Sequence, residues 1–139
     1  MYMHGPYTET ALAAAGIHIC SDGVQKDGTP ELHSGGVINF PINVIPDHEH
    51  IYHAERTTEW VERWIKRYDW CDDFGPDSYA VDVWADMVIE QITAHQQAQR
   101  VANIIMHPLT MYLADGYASA QRILEHISAY QSLHMEELL

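Results

Sequence analysis

The chain has 139 residues, of which 7 are basic and 20 acidic, for a formal charge of −13. That length fits one domain with a real core, and 47% apolar against 19% charged residues is an ordinary globular balance. So acidic a surface repels nucleic acid and anionic membrane, no apolar run approaches the roughly 18 residues of a membrane span, and "MYMHGPYTE" has neither the basic nor the apolar region of a signal peptide.

The first eight residues read as a loop, with Gly5 and Pro6 forcing a tight backbone. Thr8 is a good N-cap, "ETALAAA" a strong helix former, and Gly16 a natural stop. "IHIC" (17–20) reads as a short strand that ends at Ser21-Asp22-Gly23. Residues 23–36 are polar and glycine-rich, hence a loop, and "VINFPINVI" (37–45) is a buried strand in which Pro41 marks an edge or a bulge.

"AERTTEWVERWIKRYDW" (54–70) has helical periodicity, with Trp60, Trp64 and Tyr68 on one face, a stripe expected to pack in the core. Pro76 precedes a second helix over 77–98 with Val81, Trp84, Val88 and Ile92 inward. "VANIIM" (101–106) reads as a third strand, followed by a polar loop and a last helix over about 117–130 that presents Ile123, Leu124 and Ile127. Strands alternating with helices predict a mostly parallel sheet covered by helices, and three strands suggest part of an α/β barrel rather than a whole one.

In such barrels the chemistry gathers at the C-terminal ends of strands. Polar groups stand at all three expected ends: Ser21-Asp22, Asp47-His48-Glu49-His50, and His107-Pro108. An imidazole titrates near neutral pH and can protonate a leaving group; a carboxylate on its other nitrogen, Asp22 or Asp47, would fix the tautomer. Against this stands a plain loop histidine after a strand. The ten histidines raise the chance of a metal or acid–base site. His48, His50 and His53 have the H-x-H-x-x-H spacing of metal ligands, or else form a solvated loop. In "HGPYTE" (4–9) the Tyr7 N–H is placed to act as an oxyanion donor, or the segment is simply the entry to the first helix. Cys20 and Cys71 are far apart and form no C-x-x-C, which points to a reducing, cytoplasmic compartment.

Several short motifs, in order, resemble those of the polysaccharide deacetylase superfamily (the NodB-homology type): "HGPY" (4–7), "AAAGIHICSD" (13–22), "INFPINVIPDHEH" (38–50), "IIMHP" (104–108) and "ADGYASAQRILEHISAY" (114–130). The resemblance covers nearly the whole chain but only the C-terminal half of the family's distorted (β/α) barrel. It implies a hydrolase acting on an N-acetyl or related amide C–N bond of a carbohydrate-type or small amide substrate. His107 would be the catalytic acid, with Asp22 helping to orient it, and the Tyr7 N–H the oxyanion donor. His4 stands where the family has an arginine.

A divalent metal, zinc, is implied too, but the family's ligand motifs, Thr-Phe-Asp-Asp and His-x-x-x-His, do not occur in this sequence. The expectation is therefore a portion of a larger hydrolase, a chain completed by a partner or by self-association, or a substitute metal site at His48 and His50. The alternative is a non-catalytic half-domain that binds a sugar, a metal or a partner chain.

Overall fold

The computed structural model of the chain describes residues 7–33, 35–52, 57–68 and 71–138. His4 and His53 lie outside the described residues. The alanine-rich segment forms α1 (Thr8–Ala14), with Thr8 as its first helical residue and Tyr7, not Thr8, in the capping position. Its far end closes as expected. Gly16 adopts φ +74°, and the amides of Gly16 and Ile17 donate to the carbonyls of Ala13 and Leu12, a Schellman stop that glycine enters without strain.

Two expected strands form as short segments, β1 (Ile19–Cys20) and β3 (Ile38–Asn39), paired parallel with Ile19 opposite Ile38. The stretch expected to be all loop contributes β2 (Glu31–Leu32), antiparallel on the other side of β3, so the sheet is mixed with order β1-β3-β2. Both β2 residues are exposed, so no hydrophobic alternation could announce it.

The strand expected over 37–45 ends at Asn39, two residues before Pro41, which has no N–H to give a ladder. Beyond one bridge between Val24 and Ile42 the chain is irregular, yet every residue from Phe40 to Asp47 is buried.

Residues 101–106, expected as a third strand, form none; two asparagines take over the pairing instead. Asn103 N donates to Asn43 Oδ1 at 2.8 Å, and Asn43 N to the Asn103 carbonyl at 3.1 Å. Asn43 Nδ2 reaches the carbonyls of Val101 (3.0 Å) and Gly28 (2.9 Å), and Asn103 Nδ2 those of Phe40 (2.9 Å) and Pro41 (3.3 Å). The same separation of 60 positions recurs in the Asp47–His107 contact, so the two segments run side by side in one direction. Side-chain amides thus satisfy backbone groups that a ladder would otherwise pair.

A single turn, α2 (Asp47–His50), follows the buried segment, and then α3 (Thr58–Tyr68). The chain returns through Tyr79, whose N–H donates to the His50 carbonyl (2.8 Å) and whose carbonyl accepts Tyr52 N–H (2.9 Å). Next comes α4 (Val81–Gln97), five residues after Pro76; Trp84, Val88 and Ile92 are buried as their spacing predicts.

The loop expected after His107 is instead helix α5 (Pro108–Asp115), because proline at the first helical position is preset for the turn. Gly116, in the left-handed region at φ +65°, ends it, and α6 (Ala118–Ile127) follows, with a 3-10 turn at Met135–Leu138. On α6 Ile123 is buried but Leu124 is exposed, one step round the helix from the core face.

The core joins Val44, Ile45 and Ile51 to the inner face of α4, and that face to Met111 of α5 and to Ala120 and Ile123 of α6. Trp84 lies at its centre, and its indole N–H donates to the Ile45 carbonyl at 3.2 Å. The fold is mixed α/β, and among the described residues no helix is long and apolar enough to cross a membrane.

Asn43 is 5% exposed and holds three segments together. Asn43→Ala leaves buried backbone groups without partners and is expected to cost about 2–4 kcal/mol, read as a lower midpoint in urea unfolding with the slope unchanged.

Candidate active site

His107 owes its place to the proline after it. A residue before proline is pushed out of the helical region, and His107 sits at φ −91°, ψ 118° as the N-cap of α5. Its ring is not spent on capping. It turns to Asp47, the first residue of α2, which is completely buried.

Asp47 grips His107 twice: Oδ2 accepts the backbone N–H at 2.6 Å, and Oδ1 accepts the ring Nδ1–H at 2.7 Å. Oδ1 also accepts the His48 N–H at 2.8 Å. A carboxylate cannot donate, so the proton lies on Nδ1, and in the neutral ring the lone pair lies on Nε2. The His107 side chain is 47% exposed, and Nε2 has no partner among the described residues. The His48 ring lies 5.6 Å away, centroid to centroid.

A second Asp–His pair also starts from α2. His50 Nε2 meets Asp72 Oδ2 at 2.9 Å and Oδ1 at 3.1 Å, and Nδ1 meets the Asp77 carbonyl at 2.7 Å. Both side chains are sealed, 1% and 2% exposed. Both ring nitrogens are therefore engaged, one by a carboxylate and one by a backbone carbonyl. Asp72 was not singled out in the sequence, where "CDDFGPD" looks like an ordinary break.

The zinc expectation at His48 and His50 meets this geometry. H-x-H presents both rings to one side on a strand, but these residues lie in a helical turn, where positions two apart diverge. His48 is exposed, while both nitrogens of His50 are taken. As placed, the pair does not fit zinc, which needs three or four convergent ligands. Among the described residues no group of three or more His, Cys, Asp or Glu side chains is arranged to hold a metal.

Of the two carboxylates weighed for His107, Asp47 is the one that holds it. Asp22, just past β1, accepts Gly23 N–H at 2.9 Å and gives its own N–H to Asn39 Oδ1 at 2.9 Å. Tyr7 is 80% exposed at the start of α1, and its carbonyl accepts Ala11 N–H. Neither is a partner in the described hydrogen bonds of Asp47 and His107.

His48 also borders a cleft of about 120 Å³ between α2, α3 and the segment after Cys71, lined by Glu49, Trp60, Trp64 and Asp72 among others. Trp60 and Trp64 stack at 5.0 Å and 16°. The stripe expected in the core therefore faces this cleft: both tryptophans are only half-buried, Val61 beside them is buried, and the Tyr68 side chain lies outside the described residues. Comparisons with protein-family models, curated proteins and solved structures gave no match.

Two outcomes follow from this geometry. Asp47→Ala removes the acceptor of two backbone N–H groups and a ring N–H and is expected to destabilise the chain by about 2–4 kcal/mol, whereas Asp22→Ala costs less than about 1 kcal/mol; urea unfolding of both variants checks the contrast. Burial, and then the negative charges of Asp22 and Glu9, push the Cys20 thiol up, so it holds less thiolate at a given pH. Iodoacetamide at pH 8 is expected to alkylate the exposed Cys71 well before Cys20, as peptide mapping over time would show.

Proposed function

We propose that the chain is a deacetylase-like hydrolase that cleaves an N-acetyl or related amide C–N bond of a carbohydrate-type substrate. The observation that carries this reading is the Asp47–His107 dyad, in which a buried carboxylate holds Nδ1–H and leaves Nε2 facing solvent. That is what a general acid–base group needs: a fixed tautomer, a charge partner for the imidazolium, and access to substrate.

In this chemistry Nε2 takes a proton from water as its oxygen attacks the amide carbon. The imidazolium, steadied by Asp47, then gives that proton to the nitrogen as the C–N bond breaks. The products are a carboxylic acid and an amine. This scheme assigns no step to Asp22 or Tyr7, and no step is routed through a metal, since His48 and His50 do not converge on one.

The architecture that accompanies this reading is part of a (β/α) barrel. The parallel β1–β3 pair and the segment 101–107, running alongside residues 41–47, would be neighbouring staves.

The test is release of acetate from N-acetylated sugars and from a small acetamide, with zinc added and with chelator. The wild-type chain is expected to release acetate, and His107→Ala to lower the rate by about 10²–10⁴-fold. Asp47→Asn, if folded, is expected to fall in the same range. Release that survives His107→Ala would overturn the assignment, and no release from any acetylated substrate would favour the non-catalytic binding module.

A further inference from the structure

The cleft beside the dyad contains a feature that the hydrolase chemistry does not use. Glu49 Oε2 is buried and has no hydrogen-bond partner. A buried carboxylate oxygen without a donor is costly, and such groups are normally satisfied by protein, water or ligand. Asp72, the other carboxylate among the described lining residues, is engaged by His50 and the Phe74 N–H. Among the described residues no lysine or arginine lines the cleft.

The walls narrow the choice of donor. Trp60 and Trp64 present stacked indoles, with Val61 and Ile65 beside them. Aromatic faces carry negative quadrupole density and attract cations, while also offering an apolar surface to a ring. A carboxylate next to such faces favours a donor with positive charge over a neutral hydroxyl. The net charge of −13 enriches cations around the whole molecule. A volume of about 120 Å³ approaches the roughly 150 Å³ of a cavity that takes benzene, which is the scale of one six-membered ring.

We propose that this cleft binds a primary ammonium group carried on a six-membered ring, with the ammonium donating to Glu49 and the ring lying against Trp60 and Trp64. The site stands independently of the hydrolase reading, because it uses neither Asp47 nor His107.

The experiment is a tryptophan-fluorescence titration of the full chain at neutral pH with cyclohexylammonium chloride, and with cyclohexanol as its neutral isostere. Saturable binding is expected for the ammonium, at least about tenfold tighter than for cyclohexanol, as a charge-assisted hydrogen bond implies. Glu49→Gln is expected to abolish that preference, and Trp64→Ala to weaken both ligands together. His107→Ala is expected to leave binding unchanged, which separates this site from the catalytic assignment. Equal affinity for the two ligands, a preference that survives Glu49→Gln, or the lack of saturable binding would each overturn the proposal. Should Glu49→Gln not fold, the comparison of the two ligands on the wild-type chain decides alone.

Discussion

A single buried carboxylate ties this molecule together. Asp47 is wholly inaccessible, and it accepts hydrogen bonds from the His48 amide, the His107 amide and the His107 ring. An unpartnered charge at that depth would be strongly destabilising, so the position is tenable only because each partner arrives. Two of the three come from a segment 60 positions away. Asp47 can therefore be charged and buried only if residues 101–107 lie beside 41–47, and the active-site geometry and this long-range contact form together.

The rest of the fold meets that requirement without a continuous ladder. Asn43 and Asn103 set the register four residues upstream, and their amides satisfy the carbonyls that Pro41 and the irregular backbone leave open. On the other side Trp84, Val88 and Ile92 of α4 press against Val44, Ile45 and Ile51, burying the segment that ends in Asp47. Hydrophobic burial holds this layer in place, and the polar pairs decide its register. α5 starts at Pro108, directly after the gripped residue, so its N-terminus is positioned by the same contact.

The helices that pack on the core were legible in the sequence because their apolar residues repeat at helical spacing, as in Trp84, Val88 and Ile92. The Gly16 stop was legible because the left-handed turn demands glycine. What escaped is the structure set by side-chain hydrogen bonds and by backbone pairing alone. Exposed β2 has no pattern to read, and 101–106 has strand-like composition but gives its pairing to Asn43 and Asn103. α5 was hidden because "PLTMYLAD" opens with a proline that marks a loop as often as a first turn. In the site, the strand-end histidine and Asp47 were both visible as candidates. Which carboxylate met His107 was not, since that depends on the register of two segments far apart in the chain. Trp60 and Trp64 were visible as a stripe, but periodicity cannot say whether a stripe faces a core or a cleft.

The two Asp–His pairs anchored on α2 show why residue identity alone does not define a catalytic group. His50 and Asp72 match His107 and Asp47 in chemistry, and both contacts are short. Yet His50 gives one nitrogen to Asp72 and the other to the Asp77 carbonyl, behind side chains almost without solvent contact. With both nitrogens already in hydrogen bonds and the ring sealed from solvent, it has no free position for a substrate proton, and its place is to fasten the returning chain to α2. His107 gives away only Nδ1, and the proline that follows keeps its ring at the surface. Asp47, Glu49 and His50 all belong to α2, so a single helical turn carries the carboxylate of the open pair, the histidine of the sealed pair and the orphaned carboxylate at once. Its short length permits this: successive side chains of one turn point in different directions, and each of the three finds a different environment within a few ångströms of backbone.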